Sequence, residues 1–282
     1  AERLTVAGGD GVFVVGVAAW IDATGPITSE SDGKRRELSI PDRSTVVRVG
    51  IVVVLVCGLS AIQVPIVSSD LTIPEEQYET ASFIDSHAEE AGHEYPQSYV
   101  FSPWSWNRMY NYHVNGEAGS YGYAYSNYRP FTLSENPEEA YQRYVRSDSY
   151  LVTEPVPGSP NLTDARMQSR LHDRYGSRGE ETTGLAHYRA LYASPSGNYK
   201  AFRVVPGATI EGTTDSNATV TLTTEVEIKG DEFTYERRAT ADVNGSYNLT
   251  VAYPGEYDLN GESAESVTVS EAAVNNGETV RA

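Results

Sequence analysis

The sequence predicts membrane helices followed by an external α/β (α+β) domain and a C-terminal all-β sandwich. Three observations carry that expectation. The apolar run VGIVVVLVCGLSAIQVPIV (Val49–Val67) is long enough to cross a bilayer, with no charge and Gln63 as its most polar residue. From about residue 68 to 205, helix signals alternate with short strand signals. From Pro206 helix signals vanish, and polar and apolar residues alternate between closely spaced turns. The expected division is therefore 1–67, 68–205 and 206–282.

The first region reads as two membrane helices joined by a cytoplasmic loop. Its opening run, GVFVVGVAAWI (Gly11–Ile21), is short for a span, and extending it back to Leu4 admits Asp10. Lys34, Arg35, Arg36, Arg43 and Arg48 cluster between the runs, which places that loop in the cytoplasm. The second run then exits, so everything after Ser68 lies outside the cell. A buried core helix is the other reading of that run, but β-branched residues and Gly dominate it and no polar face appears.

In the second region, PEEQYETASFIDSHAEEAG (Pro74–Gly92) reads as an amphipathic helix. Pro74 opens it, Glu75 and Glu76 suit its positive end, and Gly92 stops it. Tyr78, Ala81 and Ile84 or Asp85 mark its expected buried stripe. QSYVFS is a short strand, and NPEEAYQRYVR is a helix with Asn136 as its N-cap and Pro137 at its first position. SYLVTEPV is strand-like, LTDARMQSRLHDRYG is helical, and GLAHYRALYASPSGNYKAFRVV is a hairpin turning at Ser194–Gly197.

Within this region, SYVFSPWSWNRMYNYHVNGEAGSYGYAYSNY (Ser98–Tyr128) concentrates Trp and Tyr among Asn, Gly and Ser, with Arg108 and Glu117 charged. Rings with a polar handle suit a surface that holds a peptide or a sugar, and they also fill cores. Both uses are open at this stage, and different rings can serve each.

The third region carries PGATIEG at its start, then Asp242, Gly245 and Tyr247 in DVNGSY, then PGEY at Pro254–Tyr257. This pattern resembles the carboxypeptidase regulatory-like family of small β-sandwiches. The resemblance implies a spacer or binding accessory for the last quarter of the chain.

Bulk chemistry narrows the function. The net charge is −18, and only Lys34, Lys200 and Lys229 are lysines among 21 basic residues. Of the 39 acidic residues 32 follow Ser68, so the acidity faces the medium. Such a surface stays hydrated at high salt, where screening relieves self-repulsion, and a halophilic source explains it best. A strongly negative chain without a basic stripe argues against nucleic acid as a partner. Cys57 stands alone, so neither an intrachain disulfide nor a cysteine zinc site is possible.

His87, His93, His113, His172 and His187 lack the paired spacing of a metal helix. No phosphate loop and no Gly-x-Ser-x-Gly elbow occurs. No catalytic residue and no metal ligand is therefore assigned to this chain. Four Asn-x-Ser/Thr triplets, at Asn161, Asn217, Asn244 and Asn248, lie beyond the expected membrane exit and fit external exposure.

The order of parts is familiar: a membrane exit, an acidic external domain opening on an aromatic motif, TTGLAHYRALYASPSGNYKAFRVVPGATIEG, and a β-rich end. This is similar to the C-terminal portion of haloarchaeal AglB-type oligosaccharyltransferases, membrane enzymes that move a lipid-linked glycan onto asparagine. That family carries a Trp-Trp-Asp-Tyr-Gly signature shortly after the membrane exit, which holds the Ser or Thr two residues beyond the acceptor Asn. The matching place here is SPWSWN, with Pro103 at the first Trp and Trp104 at the second. Ser105 replaces the Asp, Trp106 the Tyr and Asn107 the Gly. Ser105 keeps a hydroxyl able to bond the acceptor's own.

The resemblance implies that Trp104, Ser105, Trp106 and Asn107 form the substrate-binding residues. It implies the bilayer, an acceptor polypeptide and a lipid-linked glycan as partners, the glycan being held by a more N-terminal part. It implies a divalent metal, Mg or Mn, in the parent enzyme, with no cofactor held by this portion. The other reading is a non-enzymatic, membrane-anchored surface protein whose aromatic patch binds peptide or glycan.

Overall fold

A computed structural model describes residues 43–45, 47–55, 72–119, 121–144, 149–155, 163–260 and 262–282. The expected span at Gly11–Ile21 lies outside the described residues, as do residues 56–67 of the second apolar run. Residues 43–45 and 47–55 are helical, and the apolar side chains among them are exposed, Val54 to 70%. Among the described residues no helix is long and apolar enough to cross a membrane.

Residues 72–282 form a separate compact unit. Its first helix, α1 (Glu75–Ala91), begins after Pro74 and ends where Gly92 turns left-handed at φ 67°. The Gly92 and His93 N–H groups return to Glu89 and Ala88 carbonyls, closing the end of the helix. Its buried stripe is Gln77, Thr80, Ala81, Ile84 and Ala88, and Tyr78 is 51% exposed. The stripe therefore sits about one residue to the side of the expected one. Tyr78 instead covers the ring of His113, with centroids 5.1 Å apart.

Strand β1 (Val100–Phe101) leads into α2 (Trp104–Asn115), α3 (Tyr121–Leu133) and α4 (Pro137–Tyr144), and then β2 (Tyr150–Thr153). The α4 cap is as expected, the Glu139 N–H donating to Asn136 Oδ1 at 3.2 Å. β1 and β2 are parallel, with Val100 beside Tyr150 and Phe101 beside Leu151. After α5 (Met167–His172), the hairpin of β3 (Tyr188–Ala193) and β4 (Lys200–Val204) completes a sheet ordered β1-β2-β4-β3. One parallel pair joined to two antiparallel ones makes the sheet mixed.

Both faces of this sheet are covered, and the side chains of β1, β2 and β4 sort by alternation. Val100, Tyr150, Val152 and Ala201 join Ile84, Ala88, Tyr110 and Val114 of α1 and α2 in one cluster. Phe101, Leu151, Phe202 and Val204 join Ala124, Phe131, Met167 and Leu171 of α3 and α5 in another. The result is a helix–sheet–helix stack. Each fully buried Phe or Leu contributes about 1.5–3 kcal/mol relative to exposure.

The second cluster continues into the C-terminal part. There β5 (Ala208–Thr213), β6 (Thr219–Ile228), β7 (Asp231–Thr240), β8 (Ser246–Val251), β9 (Gly255–Leu259), β10 (Glu262–Val269) and β11 (Thr279–Arg281) form two sheets, ordered β10-β9-β6-β7 and β11-β5-β8. The region expected to be all-β also holds a short helix, α6 (Glu271–Asn276), capped by Ser270. It returns the chain so that β11 lies parallel to β5.

The residues of the DVNGSY motif have plain physical jobs. Asp242 Oδ1 accepts from the Asn244 and Ser246 N–H groups at 2.7 and 2.9 Å, and Gly245 takes φ 80° hard against the Thr214 carbonyl. Tyr247 lies opposite Gly212 on the neighbouring strand, and its ring occupies the space where a Gly212 side chain would be. Tyr253 ties the two parts together. Its hydroxyl donates to the Tyr175 carbonyl and accepts from the Ala190 N–H, both at 2.8 Å.

Candidate functional site

The parallel register brings the exits of β1 and β2 to the same edge of the first sheet. Such an edge, where strands give way to helix N-termini, is the usual place for a ligand in sheets of this kind. Here β1 exits into Pro103 and the first turn of α2, and β2 exits into Glu154.

α2 carries two adjacent ladders at four-residue spacing. The inner one is Asn107, Asn111 and Asn115. β1 is an edge strand, so one side of Val100 faces no strand neighbour. Asn111 takes that place, Oδ1 accepting from the Val100 N–H and Nδ2 donating to its carbonyl, each at 2.9 Å. Asn107 Nδ2 donates to the same carbonyl at 2.8 Å and to Ser102 Oγ at 3.1 Å. Asn115 Nδ2 donates to the Ser98 carbonyl at 2.9 Å. The amides thus act as a substitute strand, pinning α2 to β1.

The outer ladder is Trp104, Arg108 and Tyr112. Trp104 is 51% and Tyr112 72% exposed. On α3, Tyr121 and Tyr125 follow the same spacing, and the two helices meet ring to ring. Trp104 and Tyr125 pack edge-on with centroids 5.4 Å apart, and the Arg108 guanidinium lies 5.0 Å from the Tyr121 ring. The outcome is an open strip of four exposed rings around one cation.

The four residues expected to bind substrate are split by the helix. Trp104 and Ser105 face solvent, Trp106 is half-buried against the cluster of α1 and α2, and Asn107 is wholly buried. Consecutive helical residues turn by about 100° each, so a motif of four cannot present one face. Arg108, Tyr112, Tyr121 and Tyr125 complete the exposed strip. The signal that finds them is the i, i+4 spacing, which a reading of the motif in linear order passes over.

The other rings of the stretch serve the core. Tyr110 is 1% exposed, Tyr123 donates to the Tyr144 carbonyl at 2.9 Å, and Tyr128 donates to the Val152 carbonyl at 2.8 Å. The aromatic stretch therefore supplies both core rings and exposed ones.

Glu154 is half-buried beyond β2, and burial pushes its carboxyl above the ordinary carboxylate range. Among the described residues no group of three or more His, Cys, Asp or Glu side chains is placed to hold a metal ion. A larger cavity, about 690 Å³, opens near β5, β8 and the C-terminus and takes no part in this edge.

The chain thus joins a mixed sheet covered by helices on both faces to a β-rich C-terminal part. Residues 207–280 match the family described as archaeal glycosylation protein B long peripheral domain. That match covers about a quarter of the chain, and this segment is similar to an AglB-type peripheral domain.

Solved structures share its fold. The Archaeoglobus fulgidus oligosaccharyltransferase AglB in complex with an inhibitory peptide and a dolichol-phosphate is similar at TM-score 0.56 and 15% identity, over 96% of this chain and 48% of that one. The Archaeoglobus fulgidus oligosaccharyltransferase tethered with an acceptor peptide containing the NVT sequon is similar at TM-score 0.54 and 15% identity, over 74% of this chain and 43% of that one. The chain spans about half the length of the structures it matches. No curated protein matches its sequence.

Proposed function

We propose that this chain is the C-terminal part of a membrane oligosaccharyltransferase-like glycosyltransferase, in which the α2–α3 strip holds the acceptor polypeptide. The observation that carries this reading is the exposed Trp104–Tyr125 pair at the strand-exit edge, the position where the resemblance puts the sequon-binding signature. Exposed Trp and Tyr at a rigid helix pair give contact area at low entropic cost. Ser105, exposed beside Trp104, offers a hydroxyl to the acceptor's Ser or Thr, and Arg108 adds a cation. The fold supports the reading, because an archaeal enzyme of this fold has been seen with an inhibitory peptide.

The exposed apolar helix at residues 47–55 favours a bilayer anchor, since a contiguous apolar surface of that kind is costly in water. Residues after about 68 then face the cell exterior. Asn217, Asn244 and Asn248 are exposed, as that placement requires of glycan-accepting sites. The transfer chemistry belongs to a more N-terminal part, with Mg or Mn stabilising the leaving phosphate when bound there.

The strip also suits a non-enzymatic surface protein that holds peptide or glycan. Membranes bearing the native protein, supplied with a lipid-linked glycan and an Asn-x-Thr peptide, separate the two readings. Glycopeptide formation that disappears when Ala replaces the Thr is expected. Peptide binding without transfer would overturn the enzyme reading and leave the binding module.

A further inference from the structure

A second cavity, about 370 Å³, opens where α1, the β3–β4 hairpin and α6 converge, away from the aromatic strip. Its volume lies at the lower end of the range for small-molecule sites, about 300–1,000 Å³. His87, His93, Arg189 and Arg203 line it against a single carboxylate, Glu271. In a chain of net charge −18 this is a local reversal of sign.

The hydrogen bonds fix where the protons are. The Arg203 guanidinium has only donors, so His93 Nε2 accepts from its Nη2 at 3.2 Å. A histidine accepting at Nε2 is neutral and carries its proton on Nδ1, which donates to the Tyr150 oxygen at 3.1 Å. The Tyr150 hydroxyl hydrogen is then left for His87 Nδ1, 2.7 Å away. His87, which lines the cavity, therefore keeps its proton on Nε2. Buried Arg203 is held rigidly, donating from Nη1 to the Gln97 carbonyl at 2.9 Å with its guanidinium 4.8 Å from the Tyr150 ring. Arg189, on β3, is tied to Glu271 of α6.

We propose that this cavity binds a small oxyanion, a phosphoryl or carboxylate group, through the His87 Nε2–H and the Arg189 guanidinium, in the field of Arg203. The local field agrees with this. Burial and then Arg203 and Arg189 hold His87 below its ordinary value, outweighing Glu90 and Glu271. The proposal is independent of the aromatic strip and of glycan transfer.

Calorimetric titration of the full chain with inorganic phosphate, and separately with glucuronate, in chloride-free buffer tests it. Saturable binding of at least one probe is expected, and whichever binds more tightly identifies the phosphoryl or the carboxylate source. His87→Asn keeps an acceptor for Tyr150 and lacks the Nε2–H, and Arg189→Gln removes one cation. Each should weaken binding about tenfold or more, with an unchanged circular dichroism spectrum. If His87→Asn does not fold, Arg189→Gln decides alone. The proposal is overturned if neither probe saturates, if chloride alone binds, or if the folded variants bind as the wild type does.

Discussion

Trp104 on α2 and Tyr125 on α3 meet edge-on at 5.4 Å while both remain more than half exposed. Large rings in that state cover little of each other. Each instead supports the other as one wall of a surface, which suits binding better than folding. The neighbouring Asn ladder of the same helix does the opposite work.

Asn111→Ala therefore acts on stability. Removing its amide leaves the Val100 N–H without its partner at a buried edge, a loss of about 1–3 kcal/mol. Urea unfolding of the full chain measures it. An unchanged midpoint would mean that the ladder does not hold β1.

Tyr253→Phe tests the join between the two parts of the unit. The substitution keeps the ring and strips a donor from the Tyr175 carbonyl and an acceptor from the Ala190 N–H. A loss of about 1–3 kcal/mol is expected, with the far-ultraviolet spectrum preserved. Independent melting of the two parts in the variant would show that Tyr253 is what couples them.

Acid should act through His172. Burial, and then Lys200, push it down to about 4 from its ordinary 6.5. Between those values the unfolded state binds the extra proton, so stability falls as pH drops from 6.5 towards 4. Allowing for partial exposure, the loss is on the order of 1–2 kcal/mol, and His172→Gln should abolish it. Glu154 has the opposite sign. Its raised folded value means that stability is lost as pH rises through that value, so Glu154→Gln should stabilise the chain at pH 7 and not below about 4. Melting curves across pH for the two variants separate these effects.

Salt should raise Tm. With net charge −18, self-repulsion is strong while the screening length is about 10 Å at 0.1 M and weak once it is about 3 Å at 1 M. A rise of several degrees, roughly, over that interval fits the acidic surface. A flat Tm would remove the argument for a high-salt medium.

Much of this fold was legible in residues with a fixed physical job. Gly92 stops α1, Asn136 caps α4, and Asp242, Gly245 and Tyr247 build one turn and cover one glycine. The helices α2 and α3 were not legible, because Tyr, Asn and Ser have no strong helical preference and tertiary packing decides. The exposed strip was half legible. Trp104 and Ser105 do face outward, but Asn107 was read along the chain although the helix turns it into the interior as the first rung of the ladder. Spacing by four separates ring strip from amide ladder, and only a helical reading of the stretch exposes it.

The most direct measurement is the affinity of the full chain for an Asn-x-Thr peptide, compared with Trp104→Ala and Tyr125→Ala by fluorescence anisotropy of a labelled peptide. If the strip holds the acceptor, each variant stays folded and binds about tenfold or more weakly. Folded variants that bind the peptide as tightly as the wild type would contradict the account.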